Sequence, residues 1–253
     1  MIKPLMYAAL GAAVFATGVA GAAIVTVTVE APDVQTAQTG TSGATGVAVQ
    51  NFDGFAVGAF GTPGSTLDWT GVGSYSGGET DPVGRTTEVK AASAFGGAGG
   101  SGNYLFVDEF APTPVFLDLD NLVTYFGFWW SAGNTSNEIT LYDGATNLFS
   151  FDTTDVNAFL ATLPNEADYL GNPNFGDPRP NPSEYYAFLN FFSDTPFDRV
   201  EFGGLNFESD NHTIATSFDD ITGDPIPTPL PGSAWLLIGG LGALRFVLRA
   251  RNR

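Results

Sequence analysis

The chain has no cysteine and a single histidine, His212, in 253 residues. Without thiols there is no disulfide framework, no Cys-ligated zinc or iron–sulfur centre and no thiol nucleophile. One histidine excludes a metal centre built on two or three imidazoles of one chain, and it leaves any Ser-His-Asp chemistry to His212 alone. Basic residues are also scarce: nine Lys and Arg stand against 27 Asp and Glu, a formal charge of −18. Nucleic-acid affinity comes from clustered Lys and Arg against phosphates, so no nucleic-acid partner is expected.

Apolar material, by contrast, is plentiful. The chain is 43% hydrophobic, with 22 Phe, 32 Gly and 16 Pro, which is enough to bury a sizeable core and too aromatic for a disordered chain. Charge is unevenly placed. All 27 acidic residues lie between Glu30 and Asp224, where only Arg85, Lys90, Arg179 and Arg199 are basic, so this stretch carries a formal −23. The other five basic residues accompany apolar runs at the two ends: Lys3 at one, and Arg245, Arg249, Arg251 and Arg253 at the other.

At the N-terminus, Lys3 precedes an Ala-, Leu-, Val- and Gly-rich run from Leu5 to Val19. Ala20-Gly21-Ala22 follows with the small-residue spacing that signal peptidase requires. Residues 1–22 are therefore expected to be a signal peptide, with cleavage after Ala22 or Ala23. At the other end, Asp224-Pro225-Ile226-Pro227-Thr228-Pro229-Leu230-Pro231-Gly232 alternates prolines that bar both helix and central strand, which makes 225–232 an extended spacer. Residues 233–248 form a short Gly- and Leu-rich apolar run, a marginal membrane helix that Arg245 can lengthen by snorkelling. The arginines place the 249–253 tail in the cytoplasm and the acidic body on the outer side.

This tail, a Pro motif followed by a short hydrophobic helix and a terminal Arg cluster, resembles the PEP-CTERM class of bacterial sorting signals. Thr228-Pro229-Leu230-Pro231-Gly232 is similar to the Val-Pro-Leu-Pro-Ala variant, with Thr for Val and Gly for Ala. The resemblance implies export to a Gram-negative envelope and a precursor tethered in the inner membrane. It further implies cutting near the Pro motif by an exosortase-like membrane protease, then a place on the cell surface or in an extracellular matrix rich in polysaccharide.

Between the ends, a period of two dominates. Strands are expected at 24–29, 46–51, 67–75, 85–91, 103–108, 114–119, 123–131, 137–143, 147–151, 185–193, 198–203 and 211–218, with turn residues between them. The expected fold class is all-β: a β-sandwich or jelly-roll ectodomain over 23–224, with a candidate sub-boundary near 40–46. One short helix is expected, capped by Thr154 and ending before Pro164. Residues 123–131 and 137–143 read as an antiparallel pair joined by a turn at Gly133-Asn134, and Pro164 to Glu184 as a long Pro/Asn insertion loop. Phe126-Gly127-Phe128-Trp129-Trp130, Glu138 to Tyr142 and Phe207 to His212 are similar to the β-sandwich ectodomains that precede PEP-CTERM tails.

Candidate chemistry is sparse. The carboxylate pairs Asp118/Asp120, Asp152/Asp155, Glu208/Asp210 and Asp219/Asp220 offer acid–base partners for a glycan hydrolase, but nothing singles one out. Glu208, Asp210 and Asn211 are candidate ligands for a structural calcium, the only cofactor considered. On a strand, Trp129 and Trp130 must point to opposite faces, so one indole enters the core and the other is a candidate platform for stacking on sugar rings. His212 is expected at a strand start, half-buried. Gly96 to Gly102 lacks a phosphate-loop lysine and reads as a connection. The expected function is a non-enzymatic structural or adhesive protein of a polysaccharide matrix, with a carbohydrate-binding module and a secreted hydrolase as alternatives.

Overall fold

Alternating apolar residues build a protein dominated by strands. The computed structural model describes residues 23–38, 43–58, 60–62, 64–78, 87–108, 114–133 and 135–227. The signal segment with Ala20 and Ala22, the motif Thr228 to Gly232, the apolar run 233–248 and Arg245, Arg249, Arg251 and Arg253 lie outside them. No helix among the described residues is long and apolar enough to cross a membrane.

Among the described residues twelve strands form one sheet: β1 (Val25–Val29), β2 (Ala48–Gln50), β3 (Leu67–Trp69), β4 (Gly73–Gly77), β5 (Glu88–Ala91), β6 (Asn103–Val107), β7 (Val115–Gly133), β8 (Asn137–Asp143), β9 (Thr146–Asp152), β10 (Tyr185–Gly204), β11 (Phe207–Ala215) and β12 (Asp224–Pro225). The one α-helix among the described residues, α1, spans Thr154–Leu160 and buries Val156 and Leu160. Its N-cap is Thr153, without a side-chain capping bond, and not Thr154 as the sequence suggested. The all-β expectation holds.

Two long strands double the sheet over on itself. β7 pairs with β10 antiparallel in two blocks, Phe126 with Phe191 in one and Leu117 with Val200 in the other, separated by register shifts between Phe192 and Arg199. Bulges of this kind bend a strand and sharpen its twist. The C-terminal half of β7 and the N-terminal half of β10 sit in one layer with β12, β1, β11, β6, β5 and β2. The other halves join β3, β4, β8 and β9 in the second layer. The layers meet ring to ring: Phe126 lies 5.7 Å from Phe202 and Phe151 lies 5.6 Å from Phe191, both edge to face.

Two expectations are corrected here. Residues 114–119 and 123–131 are one bent strand, as are 185–193 and 198–203, because Asp118 to Leu122 and Ser193 to Pro196 turn the backbone between layers without ending it. β7 and β8 do not pair. β7 already has β10 and β11 on its two sides in that half, so after Gly133 the chain crosses to the other layer, where β8 pairs with β10 and β9.

The first layer buries its outer face as well. Trp129, Tyr186 and Phe188 form a second apolar cluster there with Ala37 and Ala98 against them, and Tyr125, Phe192 and Ala215 form a third. Phe218 and Ala44 pack on the third cluster, while the Pro/Asn loop, tied to Tyr186 through Asn181, covers the second and is no loose appendage: Asn172 is fully buried and donates to the Ser93 and Ala94 carbonyls. Gly127 is required on this face, since a Cβ there would overlap the Tyr125 hydroxyl and stand 2.8 Å from the Phe188 ring. Gly127→Ala is expected to cost about 1–3 kcal/mol through overpacking. Gly54→Ala, whose Cβ would meet nothing within 4 Å, is expected to change stability by no more than about 0.5 kcal/mol. Denaturant titration of the two variants distinguishes these outcomes.

Candidate functional site

Direct opposition across strands places side chains on a common face. Across the outer face of the first layer, Ser131 of β7 opposes Glu208 of β11, Glu208 opposes Phe106 of β6, and Phe106 opposes Glu88 of β5. On the far side of Ser131, Tyr186 occupies the bulge of β10 between Tyr185, opposite Gly133, and Ala187, opposite Trp130. A second row holds Phe188, Trp129 and Asp210, while Tyr104 and Lys90 oppose each other on the neighbouring strands. Glu184, half-buried, stands at the rim just before β10. The roof consists of residues 93–99 and the Pro/Asn loop. Tyr186 Oη donates to the Ala94 carbonyl at 2.8 Å, Asn181 Nδ2 reaches the same oxygen at 3.1 Å, and Asn174 Nδ2 bonds the Gly97 carbonyl.

Beneath this roof several polar atoms have no partner. They are Trp129 Nε1, Ser131 Oγ, Glu184 Oε2 and Glu208 Oε2. Trp129 is fully buried, Ser131 is 1% exposed and Glu208 6%. Each orphan of this kind costs about 1–3 kcal/mol. Burial, reinforced by the Glu184 charge and opposed by Lys90, pushes the Glu208 carboxyl up to about 9. Burial also raises Glu184. Glu208 on β11 and Glu184 at the start of β10 thus flank the strand that carries Ser131, and the Glu184 charge adds to the rise of the Glu208 carboxyl.

Ser65 Oγ and Asn157 Oδ1 are buried without a partner elsewhere, whereas two larger buried polar networks are satisfied. Further along the same face, Tyr125 Oη donates to Asn190 Oδ1 at 2.7 Å, and Asn190 Nδ2 donates to Thr28 Oγ1 and Glu30 Oε1, each at 3.0 Å. In the core, Tyr75 Oη lies 3.0 Å from His212 Nδ1 and Ser209 Oγ 2.9 Å from Nε2. Networks closed in this way rigidify a core.

The structure redistributes the residues singled out from sequence. Trp129 and Trp130 do point to opposite faces, but both indoles are fully buried, since the roof covers the face that Trp129 occupies. Neither is a stacking platform for sugars. Of the calcium trio, only Glu208 is open: Asp210 Oδ2 accepts from Ala98 N–H at 2.8 Å, its Oδ1 accepts from Asn211 N–H at 2.7 Å, and Asn211 Nδ2 donates to the Gln35 carbonyl. Burial still lifts the Asp210 carboxyl to about 7, although these two N–H bonds oppose the shift. Among the described residues no three His, Cys, Asp or Glu side chains are grouped to hold a metal. Asp118 is paired with Arg199, and Asp152 Oδ1 accepts from Thr154 N–H.

His212 is fully buried within β11, not half-buried at a strand start. Asn211 at φ 50° forms a bulge that breaks the alternation begun by Glu208 and Asp210 and turns His212 into the core between Phe202 and Phe52. A serine is within reach, yet no substrate is, and burial lowers the imidazole to about 3. Glu184 was missed among the candidate acids, because it sits in the Pro/Asn loop and meets Glu208 only through strand register. A groove of about 230 Å³ elsewhere, lined by Val47, Val72, Val123 and Ile214 among others, holds no titratable side chain.

Because His212 stays neutral when folded but takes a proton from about pH 6.5 downward when unfolded, its contribution is intact above that pH and is lost as pH falls towards 3. The cost is about 1.4 kcal/mol per pH unit in that window. Stability measured by denaturant titration from pH 7 to 4 is expected to fall less steeply for His212→Gln than for wild type by about this slope; equal slopes would contradict it. A scan against protein-family models finds no match, and no curated protein or solved structure is significantly similar to the chain.

Proposed function

We propose that the chain is an exported structural or adhesive protein of the bacterial surface or extracellular matrix. In this reading it is a jelly-roll-like β-sandwich ectodomain that signal peptidase frees at its N-terminus and an exosortase-like protease frees at its tail. The observation that carries the reading is where the two ends of the body lie. β12 runs antiparallel beside β1, with Asp224 opposite Val29 and Pro225 opposite Thr28. Ile226 N–H then donates to the Val27 carbonyl at 2.9 Å, and its side chain is buried. The chain thus leaves the body heading along β1 towards Ala23. The first and last described residues, Ala23 and Pro227, therefore lie at the same end of β1, an arrangement that suits a body tethered at either terminus.

Ile226, the last buried residue among the described ones, precedes Thr228 to Gly232, so a cut at that motif leaves β12 and Ile226 in place. The acidic body suits the same role: a formal −23 between Glu30 and Asp224 favours solubility and self-repulsion once the tether is gone. His212 lies sealed in the core and both indoles of Trp129 and Trp130 are buried, so the reading assigns no catalytic residue and no stacking platform.

A Pro229→Ala/Pro231→Ala variant is expected to accumulate several-fold as a membrane-held precursor that keeps its tail. Immunoblots of membrane and medium fractions read this directly. Release of the variant at the wild-type level and size would overturn the sorting role of the motif.

A further inference from the structure

We propose that Glu184, Ser131 and Glu208 form a calcium site on the outer face of the first layer. It is a different site from the Glu208, Asp210 and Asn211 set suggested by sequence. Three oxygens define it: Glu208 Oε2, Ser131 Oγ and Glu184 Oε2, all buried and all without a hydrogen-bond partner. Register brings them together. Ser131 is directly opposite Glu208 on the neighbouring strand, and Glu184 approaches from the start of β10 on the other side of β7. In the sheet, Ser131 thus stands on the strand between the one that carries Glu208 and the one that Glu184 precedes.

The orphaned atoms are an independent sign of an occupant, beyond the proximity of two acids. Ser131 and Glu208 are more than nine-tenths buried. Native proteins leave few such atoms unpaired without a water, ion or ligand, and the buried networks of Asn190 and His212 are satisfied throughout. A pair of carboxylates and a hydroxyl is a hard, all-oxygen donor set. It suits Ca²⁺, which takes six to eight oxygens and fills its shell with waters and backbone carbonyls. Zinc would call on imidazole or thiolate, and the nearest imidazole, His212, lies on the opposite face. Lys90 does not fill the site, because its ammonium sits 3.3 Å from the Phe106 ring centroid and 3.7 Å from Glu88 Oε1. The remaining orphan, Trp129 Nε1, is a donor and matches a water carried by the ion. Glu184, half-exposed at the rim, gives the ion its way in.

With only two carboxylates, affinity falls in the weak range of extracellular calcium modules, about 10⁻⁴–10⁻³ M. The test uses the full chain in mild detergent and Tb³⁺ as probe, excited through Trp129 and its neighbouring tyrosines. One saturable equivalent is expected, displaced by Ca²⁺ at millimolar concentration and far less well by Mg²⁺. Glu208→Gln and Glu184→Gln are each expected to weaken Tb³⁺ binding at least tenfold. Asp152→Asn, at an exposed strand end, should leave it unchanged. Glu184 lies at the rim, so its variant tests the site even if the buried Glu208→Gln perturbs folding. Absence of saturable luminescence, or binding that survives Glu184→Gln undiminished, would overturn the proposal.

Discussion

The pairing of β7 with β10 is the constraint on which the rest of the molecule depends. Among the described strands these two alone run through both layers, so their bend sets the angle at which Phe126 and Phe128 meet Phe202, and with it the core. They also form the floor of the outer face, where β11 joins β7 to bring Glu208 beside Ser131. A shift of one residue in that register would turn Trp130 outward and Trp129 inward and would part Glu208 from Ser131. Core and polar cluster are thus two consequences of one alignment.

A sheet buried on both sides explains the unusual number of buried polar groups. One face meets the other layer and needs only apolar side chains, with His212 tolerated because Tyr75 and Ser209 satisfy both ring nitrogens. The other face meets loops, whose backbone carbonyls and amides need partners. Asn172, Asn174 and Asn181 supply them from the Pro/Asn segment, and Asp210 supplies them from the sheet. The segment that looked like an insertion in sequence is therefore the fastening of the roof.

How much of this was legible depended on the range of the interaction responsible. Local alternation located β8 at 137–143 and came within a residue of both ends of β9. It could not tell a bend from an end: Asp118-Leu119-Asp120-Asn121 reads as a turn, yet the strand continues through it between layers. β12 carries a proline and is two residues long, so nothing but its position beside β1 identifies it. Trp129 and Trp130 were correctly assigned to opposite faces, since alternation is local, whereas the covering of the Trp129 face depends on loops distant in sequence. Glu184 and Glu208 are separated along the chain and meet through three strands, so no spacing rule could pair them. Asn211 offered the one local hint, because Asn tolerates the positive φ that turns His212 inward.

The described fold runs from Ala23 to Pro227, and the segments on either side are proposed to be address and tether. The central claim is that the protein at work outside the cell has shed both ends. Intact-mass measurement of the protein recovered from the cell exterior tests this most directly. The account predicts a chain that begins within a residue of Ala23 and stops near Thr228 to Gly232. A mass that still includes residues 233–253 would contradict it and make the tail a permanent anchor.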